Sequence, residues 1–127
     1  VIVVDASVLV AHLDTHDAHH DAATRLLLDA AGLEFGASPI TVAEVLVGPA
    51  RMDRLSEAQG ILVALGLRQI TLGIDAAPRL AMLRGQTGLK LPDCCVLLAA
   101  HDAPAQAVAT FDERLAKVAR RVGLHVR

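Results

Sequence analysis

At 127 residues and 54% hydrophobic content, the chain holds one domain with a single substantial core. Its formal net charge of −2 argues against a protein held to nucleic acid by bulk electrostatics, and with only Phe35 and Phe111 as aromatics the RNA modules that stack bases on exposed rings fit poorly. No apolar run approaches the ~18–20 residues of a membrane span and no signal-peptide pattern opens the chain, so a cytoplasmic protein is expected, with no membrane partner.

Val1-Ile2-Val3-Val4 is an unbroken β-branched run and reads as a strand buried on both faces, as in the middle of a parallel sheet. Asp5 stands at its carboxyl end, the edge at which open α/β sheets bind ligands, and Ser7 follows where the chain turns. Val8 to Leu13 predicts a short helix that ends near Asp14-Thr15. Ala22, Ala23, Leu26, Leu27 and Ala30, spaced three and four apart, predict a helix from Ala18 to Ala31 with Gly32 as its stop. Leu33 to Ala37 is the second strand. Ser38-Pro39 combines a capping hydroxyl with proline at the first helical position, opening a third helix expected to end at about Val47, before Gly48-Pro49.

Met52 to Leu65 reads as a fourth helix, Arg68 to Leu72 as a third strand, and Asp75 to about Arg84 as a fifth helix followed by a loop marked by Gly85 and Gly88. Leu91-Pro92-Asp93 opens a sixth helix, apolar all round from Cys94 to Ala100. Ala107 to Thr110 is a fourth strand, Asp112 to Val122 the last helix and Leu124 to Val126 a closing strand. The alternation predicts one α/β domain over residues 1–127, with a central, mostly parallel sheet of about four or five strands and about seven helices on its two faces. The adjacent Cys94 and Cys95 cannot staple distant segments and read as small buried residues in a reducing compartment.

Four acids stand in company too apolar for ordinary surface charges. Glu44 is flanked by Thr41, Val42, Ala43, Val45 and Leu46, a setting that leaves little solvent-facing surface and calls for a cation or a raised pKa. Asp93 is the only charge between Lys90 and His101, Asp5 ends a buried strand, and Asp112 follows another in Thr110-Phe111-Asp112. Each has a simpler reading: Asp93 and Asp112 as helix N-terminal acids worth ~0.3–1 kcal/mol, Asp5 as a turn residue with Ser7 as a cap, Glu44 in a salt bridge with a core arginine. In a parallel sheet, however, all four fall on one edge. Carboxylates gathered there repel unless cations intervene, and all-oxygen ligands select a hard ion, Mg²⁺ or Mn²⁺.

The ordered set Val3-Val4-Asp5-Ala6-Ser7, Glu44 within Ser38-Pro39-Ile40-Thr41-Val42-Ala43-Glu44-Val45, Leu91-Pro92-Asp93 and Thr110-Phe111-Asp112 closely resembles the PIN-domain ribonucleases, and at this length the VapC toxins of bacterial toxin–antitoxin pairs. The resemblance spans essentially the whole chain. It implies that Asp5, Glu44, Asp93 and Asp112 are catalytic and hold the metal, with Ser7 and Thr110 in support. Some relatives carry a further acid just past the last Asp, where this chain includes Arg114 and Leu115, so one and two catalytic ions both stay open. The resemblance further implies an RNA substrate, a homodimer and a cognate antitoxin that covers an apolar groove and presents a basic side chain to the acids. A hydrophobic share of 54%, before 9 Gly are added, exceeds the roughly 45–50% usual for soluble chains and fits such partners.

Phosphate-holding cations would come from the rim, and Arg51, Arg54, Arg84, Lys90 and Arg114 lie near the acids in sequence. His16, His19 and His20, in a segment with Asp14, Asp17 and Asp21, read as a solvent-exposed helix edge. A receiver-like phosphotransfer domain would need adjacent acids after the first strand, and a haloacid-dehalogenase-like phosphatase a second Asp where Ser7 stands. The alternative that keeps the fold is a catalytically silent RNA-binding or scaffolding module.

Overall fold

The opening apolar run forms β1 (Ile2–Val4), all three residues of which are buried. In the computed structural model, which describes residues 1–127, it is the middle strand of the sheet. The chain continues through α1 (Ala6–Leu13), α2 (His20–Asp29), β2 (Phe35–Ala37), α3 (Pro39–Arg51), α4 (Leu55–Ala64) and β3 (Leu67–Gln69). It then runs through α5 (Ala76–Thr87), α6 (Leu91–Asp102), β4 (Ala107–Ala109), α7 (Glu113–Arg121) and β5 (His125–Val126). The strands form one sheet in the order β3-β2-β1-β4-β5, with every neighbouring pair parallel. The connections travel one way from β1 to β3 and the other way from β4 to β5, so the switch point lies between β1 and β4, where such sheets open a ligand crevice.

Alternation along the strands divides the core in two. Ile2, Val4, Phe35, Ala37 and Ala109 pack with Val8, Leu9, Leu27 and Val45 on the face covered by α1 to α4. Val3 and Val108 pack with Leu89, Val96, Leu115 and Val118 on the other. Cys94 to Ala100 are all buried, and both cysteines are free thiols. No helix is long and apolar enough to cross a membrane.

Several boundaries differ from the sequence expectation for local reasons. α1 starts at Ala6, directly after the first strand, and so includes Ser7. α2 starts at His20 rather than Ala18, because Asp14 and Asp17 accept the backbone N–H groups of His16 and His19 and fold the intervening chain into turns. α3 continues through Gly48-Pro49 to Arg51; with Pro49 in the last turn, little helix remains for the proline to disrupt. Asp53, at φ 56°, then turns the chain into α4, which therefore begins at Leu55. α5 runs through Gly85, at the ~1 kcal/mol a helical glycine costs, and stops at Gly88, whose φ of 71° lets its N–H reach the Arg84 carbonyl. β3 comes earlier than expected, at Leu67–Gln69.

The N-cap signal at Ser38 operates as read: its Oγ accepts the Thr41 N–H at 3.1 Å and lies 3.2 Å from the Thr41 hydroxyl, with both side chains buried. Ser38→Ala should therefore lower stability by about 1–2 kcal/mol, measured as a fall in urea midpoint at constant m-value.

Candidate active site

Asp5 occupies the N-cap position of α1 but makes no capping bond. Its Oδ2 instead accepts two hydroxyls, Ser7 Oγ and Thr110 Oγ1, each at 2.8 Å. The pairing of β1 with β4 sets this up: Val4 lies beside Ala109, the Asp5 N–H donates to the Ala109 carbonyl at 2.9 Å, and the next residues on the two strands meet. The hydroxyls are fixed in turn, as Ser7 Oγ accepts the Phe111 N–H and Thr110 Oγ1 the Asp112 N–H, both at 3.0 Å. Every buried side-chain polar atom in the protein has a partner. Oδ1 of Asp5 takes part in none of these bonds, so it is the oxygen open to the cleft.

Asp112 is the N-cap of α7, its Oδ1 accepting the Leu115 N–H at 2.9 Å, so the simpler capping role is real for this acid. Its Oδ2 is uncommitted by that bond. Asp93 lies half-buried in the first turn of α6. Burial pushes its pKa up, the charges of Asp5 and Asp112 push it further, and Lys90 and Arg114 oppose them. The pKa of Glu44 is raised in the same direction, first by the partial desolvation of its carboxyl at the cleft, although the residue as a whole is exposed, and then by Asp5 and Asp93. The four acids thus feel one another around Asp5. They do not close on a point, since no three His, Cys, Asp or Glu side chains form a ready coordination shell. Mutual repulsion is the physical reason for carboxylates to stand apart, and the donor chemistry, all oxygen with no imidazole or thiolate among it, suits a hard divalent cation.

The environment of Glu44 differs from the sequence reading. α3 buries only Thr41 and Val45; Glu44 is exposed, and Ile40 and Val47 are 43% and 44% exposed. Its apolar neighbours are an uncovered helix face rather than a core. Glu44 makes no salt bridge, which removes the core-arginine alternative: the ion pairs are Arg68–Glu34, Arg79–Asp75, Arg79–Asp102 and His101–Asp102. It stands between two concavities, a groove of about 810 Å³ walled by Val10, Leu13, Val47, Met52 and Ile61, and a smaller one of about 330 Å³ shared with Ser7, His19 and Phe111.

Among the rim cations, Lys90 and Arg114 act on Asp93. Arg114 also donates to the Gly88 carbonyl at 3.3 Å, and Arg84 to the Leu89 carbonyl at 2.8 Å, so these two brace the turn between α5 and α6. Arg54 lines the large groove, and Arg51 ends α3, roughly 10 Å along the axis from Glu44. His16 and His19 are exposed as expected, while His20 is half-buried. His20 Nδ1 lies 2.8 Å from the Ala11 carbonyl and its ring stacks on His12 at 6.5 Å. His19 stacks on Phe111 with ring centroids 4.8 Å apart. Nothing in the local sequence pattern pairs His19 with Phe111, which join only through the approach of α2 to the end of β4.

A family model, PIN domain, matches residues 2–121. No curated protein matches the chain. Among solved structures, VapC20 of Mycobacterium tuberculosis, a toxin that cleaves the sarcin-ricin loop, superposes with a TM-score of 0.78 at 18% identity over 93% of this chain and 95% of that one. A toxin–antitoxin complex from Klebsiella pneumoniae gives 0.72 at 25% identity over 88% and 87%. VapBC2 of Rickettsia felis, bound to a DNA fragment from its promoter, gives 0.70 at 18% over 99% and 96%.

Proposed function

The chain belongs to the PIN domain family, and on that premise we propose that it is a metal-dependent endoribonuclease, the VapC-type toxin of a toxin–antitoxin pair, acting in the cytoplasm. The observation that carries this reading is the site at the β1/β4 switch point, where Asp5 is held by two hydroxyls with one oxygen free and is faced by Glu44 and Asp93. Asp5, Glu44, Asp93 and Asp112 would hold Mg²⁺ or Mn²⁺. Bound there, the ion would lower the pKa of a water and offset charge on the scissile phosphate. In the overall reaction the water oxygen bonds to phosphorus and the bond to the 3′ oxygen breaks; that oxygen takes a proton, leaving 5′-phosphate and 3′-hydroxyl ends.

The protein's own part is positional. Ser7 and Thr110 lock the Asp5 carboxylate, while Lys90 and Arg114 meet phosphate oxygens beside the acids. Arg84 and Arg51, the other candidate phosphate contacts, are less favoured, being a turn brace and the far end of α3. The sarcin-ricin loop cleavage named for VapC20 supports RNA as substrate. The similar toxin–antitoxin complex supports an antitoxin partner, and exposed Ile40, Val47, Met52, Leu55 and Ile61 offer apolar surface for it and for a homodimer.

The test is cleavage of structured RNAs by the purified chain in Mg²⁺ or Mn²⁺ and in EDTA. Cutting is expected with either metal and its loss in EDTA. Inert protein with both metals across a broad RNA panel would sink the enzyme and favour the silent RNA-binding module.

A further inference from the structure

Phe111 is locked between two site residues. Thr110 before it bonds Asp5, Asp112 after it caps α7, and its own N–H donates to Ser7 Oγ. Its half-buried ring packs against the core under α1 to α4 and carries His19 on its surface, at 4.8 Å and 21° between planes. The backbone of His19 is pinned too: its N–H donates to Asp17 Oδ1 at 2.8 Å, and its carbonyl accepts the Ala23 N–H at 2.8 Å. The His19 side chain nevertheless belongs to an exposed residue, leaving a flat ring, supported from below, open to solvent beside the acids.

The pair also divides two hollows. On one side lies the cavity of about 330 Å³ that holds Ser7 and Glu44; on the other, one of about 290 Å³ runs along α7 past Thr110, Asp112 and Ala116 to Arg120 and Arg127. Both rings line both cavities. The second hollow changes sign along its length, from Asp112 and Glu113 near the catalytic edge to the two arginines at the far end. A strand whose scissile phosphate sits at the acids and whose next phosphates seek the arginines must cross the rings.

We propose that the His19–Phe111 stack is a nucleobase platform, seating the base next to the scissile phosphate and sending the strand along α7 toward Arg120. The proposal rests on the nuclease reading above and assigns part of its substrate path. Stacking suits a site with few donors and acceptors at the ring faces, because every base offers a π-face.

The test is the affinity of the full chain for a labelled single-stranded RNA of fixed sequence, by fluorescence anisotropy in EDTA so that no cutting occurs. His19→Ala should weaken binding roughly 5- to 150-fold, while His19→Phe, which restores a flat ring, should bind nearly as wild type. Scanning one abasic nucleotide along the RNA should find one position whose loss matches that of His19→Ala and adds nothing to it. Far-UV circular dichroism checks that both variants fold. Equal binding by His19→Ala and wild type, a His19→Phe variant as weak as His19→Ala, or additive losses would each overturn the platform. Cleavage in Mn²⁺ separates the two readings. Cutting by wild type and His19→Ala with the same KM sinks the platform and leaves the nuclease. Ring-dependent binding with no cutting sinks the nuclease and leaves the platform.

Discussion

Asp5→Asn is expected to reduce metal-dependent RNA cleavage by at least about 10²-fold and to destabilise the protein as well. The activity loss follows from the one free oxygen: whichever way the amide is turned, either an NH₂ faces the cleft where a cation should sit, or it faces the Ser7 and Thr110 hydroxyls that now lack an acceptor. Losing metal-dependent stabilisation of several kcal/mol accounts for a factor of this size. For stability, two effects oppose. Neutralising Asp5 relieves its repulsion of Glu44 and Asp93, worth about 1 kcal/mol in solvent-screened surroundings. It also turns two hydrogen bonds to a buried carboxylate, each worth about 1.5–3 kcal/mol, into bonds to a neutral amide oxygen worth about 0.5–1.5 kcal/mol each. The second effect is the larger, so the urea midpoint should fall. A variant that keeps wild-type cleavage in Mn²⁺ would remove Asp5 from the catalytic set.

Asp93→Asn should lower cleavage by a similar factor but make the metal-free protein more stable. Asp93 pays burial first and the charges of Asp5 and Asp112 next, and the cations Lys90 and Arg114 do not cancel them. Its folded pKa is therefore above that of the unfolded chain, where an Asp titrates near ~3.9. Between those two values the native state holds a proton that the unfolded state has released, so stability falls as pH rises through the window and the full penalty is present above it. Glu44 contributes with the same sign. In EDTA near neutral pH, Asp93→Asn should thus melt above wild type, and the gap should shrink on acidification toward about pH 4. If Asp93 is one of the carboxylates that would hold the ion, Mn²⁺ should raise the wild-type melting temperature and leave the variant's nearly unchanged. Superimposable pH profiles for the two proteins would show that Asp93 carries no such burden.

The contrast between these variants marks where local pattern stops. Both acids were legible as residues out of place in apolar sequence, and nothing in that sequence said that one is anchored and the other strained. Anchoring depends on β1 lying beside β4 with Val4 opposite Ala109, a pairing between residues far apart in the chain. The reading of Glu44 as enclosed failed for a related reason: hydrophobic neighbours on a helix indicate a surface that some partner covers, and within this chain α3 covers only its Thr41 and Val45 side.

By itself the sequence determined the central buried strand with its terminal acid, the α/β alternation, the Ser38 cap and the order of the four acids along the chain. These rest on β-branching, side-chain periodicity and capping, which act over a few residues. Tertiary structure alone decided the strand order that creates the switch point, the hydroxyl pair on Asp5, the uncovered face around Glu44 and the seating of His19 on Phe111. Each of those depends on which distant segments pack together, a choice made by the whole core and written in no single stretch of chain.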